Sequence, residues 1–289
     1  MLKQTSHHEI FALVVRRFED IFHSFYVTEA IKGASYSASR LKIDLLIHIT
    51  EKTVHEDWLN SPTLNLDYVD GIIFGDIDSD VRTLKKVVEK KIPCLVMNNY
   101  LKEPINCIAI DNKNATVEVV NYLVGLGHTK IATITGDLST QAGIDRLEGY
   151  KVVLTQHNLP INANYIRTGN FLRTPAHQAA LTLLTLRERP TAIFAASDVM
   201  ALEVINVAKE KKIKVPEELS VVGFDDNPIV EYSSVSLTTV RQPITEMGRL
   251  AVENLYNIVT GKIKGLPVKI LLPTQLIKRK SCQARPSKG

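Results

Sequence analysis

The sequence predicts an α/β protein built from two doubly wound, parallel-sheet lobes, and three observations predict it. Short runs rich in Val and Ile, apolar at nearly every position, recur along the chain. Such runs read as strands buried on both faces, hence as a parallel sheet. Longer amphipathic stretches alternate with them, which gives the βαβα order of a doubly wound sheet. The series is too long for one sheet and restarts near Lys130, so it calls for a second.

The predicted strands cover residues 11–15, 45–49, 71–74, 92–97 and 107–110 in the first series, and 131–134, 191–196 and 220–223 in the second. The predicted helices cover 24–39, 80–90, 114–126, 144–157, 175–186, 198–211 and 245–259. Val117, Val120, Leu123 and Val124 fall on one face of the third. Gly127 follows that helix as the residue that tolerates a left-handed turn. Pro175 sits in a first turn behind Thr174, which is expected to cap it. Late in the chain the order changes. Strands at 237–240, 268–272 and 276–280 bracket the last helix, and the final two are placed as returns, one to each lobe.

Composition bounds the function. The 289 residues suffice for two lobes. They are 45% hydrophobic and 23% charged, as in ordinary globular chains. A net charge of +4, from 35 Lys+Arg against 31 Asp+Glu, gives no argument for nucleic acid by itself. Cys94, Cys107 and Cys282 lack the spacing of a disulfide framework or a metal site, and fit a reducing, cytoplasmic compartment. No apolar stretch is long enough to span a membrane, and Met1 to Glu9 does not read as a signal peptide. No metal or cofactor is expected.

Ligands of open α/β sheets collect at the carboxyl ends of strands. In this chain those ends are crowded with Arg, Asn and Asp: Arg16 and Arg17, Asn98 and Asn99, Asp111 with Asn112 and Asn114, Gly136-Asp137, Ser197-Asp198, and Phe224-Asp225-Asp226-Asn227. Facing rims of this kind suit a hydroxyl-rich ligand. The same residue types also cap helices, so the collective pattern carries more than any member. Arg146, near a helix start, suits bidentate recognition, and Phe171 stands alone in a polar loop where its face would stack on a sugar ring. Catalytic motifs (GxSxG, Walker A, HExxH, GxGxxG) are absent. Asp225 and Asp226 are adjacent and point apart, which does not suit a glycosidase pair. The reading is a binding protein and not an enzyme.

Six phrases, in order, resemble the LacI/GalR family of bacterial transcription regulators. They are Leu126-Gly127-His128, Arg146-Leu147-Glu148-Gly149-Tyr150, Pro190 through Leu202, Val215 through Asp226, Leu237 through Pro243 and Leu276 through Cys282. The resemblance implies a periplasmic-binding-protein-like fold whose lobes are joined by three crossovers, near His128, Val240 and Pro273. It divides the chain into an N-terminal lobe of 10–127 plus 241–272 and a C-terminal lobe of 128–240 plus 273–285, with 1–9 as a hinge remnant. It also implies roles. Arg146 resembles the family's cleft arginine, Asp225 its hydroxyl acceptor and Phe171 its stacking aromatic. Ser197 stands where the family often has Asn or Thr, and Gln242 lies on a crossover. Asn114 and Asn98 or Asn99 match by position. Arg16, Arg17 and Tyr26 complete the ligand-binding candidates; the stretch from Val15 to Tyr26 departs from the family's usual turn. An arginine there would favour a sugar phosphate or sugar acid over a neutral sugar.

The expected protein is therefore the effector-binding and dimerisation core of a repressor. It takes a sugar or sugar derivative in an interlobe cleft, forms a homodimer, and meets operator DNA only through a helix-turn-helix headpiece. The first strand starts near Ile10, so that headpiece is expected to lie outside this chain. The alternative is the solute-binding protein of a sugar transporter.

Overall fold

The computed structural model describes residues 9–16, 24–50, 68–75, 82–265 and 267–285. Arg17 lies outside them, and the side chain of Arg16 is likewise not described. The chain forms two compact units. The first holds residues 1–110 and 243–272, the second 111–242 and 273–289.

In the first unit, strands β1 (Ile10–Arg16), β2 (Asp44–Thr50), β3 (Gly71–Phe74), β4 (Cys94–Met97), β5 (Asn106–Ile110) and β11 (Lys269–Leu272) form one sheet in the order β11-β5-β4-β3-β1-β2. Every pairing in it is parallel. β3 and β4 are buried at every position, the consequence of strands covered on both faces. Helices α1 (Phe25–Leu41), α2 (Arg82–Glu89) and α7 (Ile244–Val259) belong to this unit. Ser24 caps α1 by accepting the Val27 N–H. α1 and α7 cross at small residues: a Cβ on Gly248 or on Gly33 would overlap the backbone carbonyl of Ala30 or Thr245.

In the second unit, β6 (Ile131–Thr135), β7 (Ile166–Thr168), β8 (Ala192–Ala195) and β9 (Ser220–Val222) form a parallel sheet in the order β7-β6-β8-β9. β10 (Thr239–Arg241) pairs antiparallel with β12 (Gln275–Ile277), and parallel bridges tie Val222 to Thr238 and Asp225 to Arg241. The helices are α3 (Asn112–Gly125), α4 (Gln141–Gln156), α5 (Arg173–Leu184) and α6 (Asp198–Glu210).

The element order follows the sequence reading, with four corrections. The first boundary falls after Ile110 and not after Gly127, because α3 packs on α4 and so belongs to the second unit. The second falls after Gln242, so Arg241 and Gln242 stay with the second unit. Thr174 does not cap α5; the helix starts two residues earlier than expected, at Arg173 behind Leu172, with no side-chain cap. β7, Ile-Arg-Thr with two half-buried residues and one exposed, shows no apolar run and escaped the pattern.

Candidate effector site in the second unit

The carboxyl ends of β6, β7, β8, β9 and β10 carry the candidate residues of this unit, and local structure explains where each points. α3 and α4 approach closely because residue 149 is glycine: a Cβ there would lie 2.5 Å from the Lys113 carbonyl oxygen. That approach brings Asn112, at the first turn of α3, onto Arg146 in the second turn of α4.

Arg146 is buried, which for an arginine requires compensation. Its Nε donates to Asn112 Oδ1 at 2.9 Å and its Nη1 to the Ala196 carbonyl at 2.6 Å. The guanidinium carbon lies 3.7 Å from the centroid of the Phe224 ring and 5.7 Å from that of Phe171. Asp225 Oδ1 balances its charge from 3.8 Å. A planar cation gripped by acceptors and stacked on an aromatic face has one orientation.

Asp225 stands on a backbone of φ 128° and is followed by Asp226 at φ 58°. Both values lie in the region that favours glycine. The Asp225 carboxylate accepts from Gln242 Nε2 at 2.6 Å. Behind it, Asp198 at the start of α6 accepts from Thr239 Oγ1 at 2.5 Å and from the Asn227 N–H at 2.8 Å. Burial pushes both carboxyls above the ordinary range; the neighbouring Asp225 raises Asp198 further, while Arg146 and Gln242 draw Asp225 back down.

Phe171 follows Asn170 at the end of β7, and both have positive φ, 55° for Asn170 and 61° for Phe171. The Phe171 ring lies over Gly136, where any Cβ would overlap it. Ser197 caps α6, its Oγ accepting the Met200 N–H at 3.4 Å. Gln242 is buried, and its Oε1 has no partner while its Nε2 is held by Asp225.

Arg146, Phe171, Asp225 and Gln242 thus form a linked group. Asn114 does not join it: its N–H and Nδ2 are both taken by Asp111, the cap of α3. Asn112, two residues earlier, is the α3 residue that reaches Arg146; sequence reasoning placed it at the strand end without singling it out as a site residue. The signal available was Gly149, which marks a close helix crossing. In the first unit, Asn98 follows β4 at φ 67° and is buried with an unpartnered Oδ1. Asn99 is buried beside it, and the Tyr26 hydroxyl donates to the Gly75 carbonyl. Among the described residues no group of three or more His, Cys, Asp or Glu is arranged to hold a metal, and no helix is long and apolar enough to cross a membrane.

The chain meets clear counterparts among known proteins. Residues 120–282 match the family model described as a periplasmic binding protein-like domain. The HTH-type transcriptional regulator DegA of Bacillus subtilis (strain 168) is 33% identical over 266 residues, which cover 91% of this chain and 78% of DegA. The chain belongs to the LacI/GalR family of transcription regulators. Solved structures of this family agree. The transcriptional regulator CelR–cellobiose complex superposes with a TM-score of 0.86 at 27% identity, covering 95% of this chain and 85% of that one. The lac repressor dimer bound to operator and the anti-inducer ONPF superposes with a TM-score of 0.86 at 25% identity, covering 96% of this chain and 95% of that one. As a LacI/GalR member the chain is a ligand-responsive transcription regulator, not an enzyme, and the transporter alternative is not favoured.

Proposed function

We propose that the effector is a neutral, hydroxyl-rich small molecule of the sugar type, recognised in the second unit by Arg146, Asp225, Gln242, Ser197 and the Phe171 face. The observation that carries this is the state of the charges. Arg146 is matched by Asp225 and held by Asn112 and the Ala196 carbonyl, so its charge is compensated within the protein. What remains unsatisfied is an acceptor, Gln242 Oε1. A buried acceptor without a donor disfavours the empty state and is relieved by a ligand hydroxyl or N–H. A phosphate or carboxylate group itself brings only acceptors, so the donor has to come from a hydroxyl or N–H of the ligand. The expectation of an anionic ligand rested on Arg16 or Arg17 acting with Arg146; the side chains of Arg16 and Arg17 lie outside the described residues, and Arg146 is matched by Asp225.

The proposal extends to the whole regulator. Effector binding shifts the populations of two conformations by its differential affinity for them. The chain forms a homodimer, and a helix-turn-helix segment of the full protein contacts operator DNA. CelR was solved with cellobiose, which makes cellobiose a natural first probe. Thermal shift with cellobiose, other neutral sugars, nucleosides, sugar phosphates and hexuronates tests the class. A neutral ligand is expected to raise the Tm by mass action. Shifts produced by phosphates and hexuronates alone would contradict it. Light scattering tests the dimer, and a monomer at high concentration would refute it.

A further inference from the structure

Two adjacent carboxylates leave β9 and point to different partners. Asp225 turns to Arg146 and Gln242. Asp226, whose side chain is only 8% exposed, turns to two arginines: Arg241 Nε donates to its Oδ2 and Arg279 Nη2 to its Oδ1, each at 2.6 Å. We propose that Asp226, Arg241 and Arg279 act as a positioning clamp that holds Asp225 in its effector-accepting pose. The proposal rests on the reading of Asp225 as an effector acceptor.

The clamp is built dipeptide against dipeptide. Asp225 and Arg241 face each other across a parallel bridge, with the Asp225 N–H donating to the Val240 carbonyl at 2.8 Å. Across this bridge Arg241 grips Asp226, and its neighbour Gln242 grips Asp225. Arg279 makes the grip rigid, since it is itself fixed at both ends. Its Nη1 donates to the Leu237 carbonyl and its backbone N–H to Thr238 Oγ1, both at 2.9 Å. Arg279 is mostly buried, with 16% of its side chain exposed, whereas Arg241 is 54% exposed.

A clamp is needed because the turn is unfavourable. Two successive non-glycine residues with φ of 128° and 58° persist only where the surroundings over-determine them. The backbone supplies one bond for Asp225 and a longer one for Asp226, whose N–H reaches Thr239 Oγ1 at 3.4 Å. Two charge-assisted bonds on one carboxylate are the stronger restraint. Without them the turn relaxes and the Asp225 carboxylate swings off Gln242. The effect is indirect: Asp226 is spent on its arginines and acts through its neighbour.

The test needs no ligand. The groups facing Asp225 are Arg146 from α4, Gln242 beyond β10 and Asp198 from α6. In the intact chain, with side-chain carboxyls and amides isotope-labelled for NMR, the Gln242 Nε2–H signals are expected to follow the titration of the Asp225 carboxyl. In Asp226→Asn and Arg279→Gln this co-titration is expected to disappear, while amide signals away from the turn persist. Arg279→Lys, which keeps a cation there, is expected to retain it. If Asp226→Asn fails to fold, Arg241→Gln, on the most exposed member, gives the same readout. Co-titration with an unchanged midpoint in the folded Asp226→Asn, Arg279→Gln or Arg241→Gln protein would overturn the proposal. If Asp225→Asn binds effector as the wild type does, the effector role fails, whereas the clamp is judged by the titration alone.

Discussion

At the residue scale, the site is a buried cation and the groups that make its burial tolerable. Removing the cation strands its partners. Arg146→Ala leaves Asp225 without its counter-charge, and breaking a buried pair in this way costs about 3–5 kcal/mol. Urea unfolding should show that loss, and adding Asp225→Asn should recover part of it. Strictly additive losses in the double variant would mean that the two groups do not depend on each other. Gly136 has an equally specific role, as the seat of the Phe171 ring. Gly136→Ala is expected to lower stability by about 1–3 kcal/mol through overpacking, and to weaken effector binding; a neutral outcome in both would remove Phe171 from the site. Arg146, Asp225 and Gln242 were legible in the sequence because they fall in the family phrases, and Phe171 because it stands alone in a polar loop; the structure links the four. Asn112 was not, since Asn next to a helix cap reads as capping until the partner helix is in place. The partnering of Asp226 with Arg241 and Arg279 was equally hidden, because it joins segments far apart in the chain.

At the element scale, glycines and helix ends decide which side chains meet. Gly149→Ala pushes α3 from α4 and is expected to cost about 1–3 kcal/mol in urea unfolding; it also loosens Asn112 from Arg146. Gly248→Ala wedges α1 from α7 in the first unit, so it tests whether destabilisation as such affects the site. The end of α3 is a Schellman closure, with Gly127 at φ 84° and the His128 N–H donating to Leu123. It delivers His128 into the core, where Thr191, Ser220 and the Gln283 carbonyl surround the ring. Burial lowers the His128 pKa below 6.5. The neutral ring therefore favours the folded state above about pH 6.5, and that stability is lost as pH falls below it, because the unfolded chain binds the proton more readily. Melting between pH 7.5 and 5.5 is expected to drop more steeply for the wild type than for His128→Gln. Equal slopes would show that His128 is not held neutral. The glycine after α3 was plain in the sequence; the histidine's surroundings, drawn from the residue before β8, from β9 and from the C-terminal segment, required the fold.

At the scale of the whole molecule, the fold class was legible because parallel strands buried on both faces announce themselves as unbroken apolar runs. β3 and β4 are examples. The unit boundaries were less so. A helix such as α3 carries the same amphipathic pattern whichever sheet it covers, and its allegiance is set by packing on α4 across Gly149. What unites the scales is one claim: the second unit's rim recognises a neutral hydroxyl-rich effector through Arg146 and Asp225. Calorimetric titration tests it most directly, using the neutral ligand with the largest thermal shift on the wild type, Arg146→Ala and Asp225→Asn. The account predicts saturable binding to the wild type, weakened in each variant by about 2–4 kcal/mol, the range for truncating one partner of a buried charged contact. Wild-type affinity in both folded variants would contradict it.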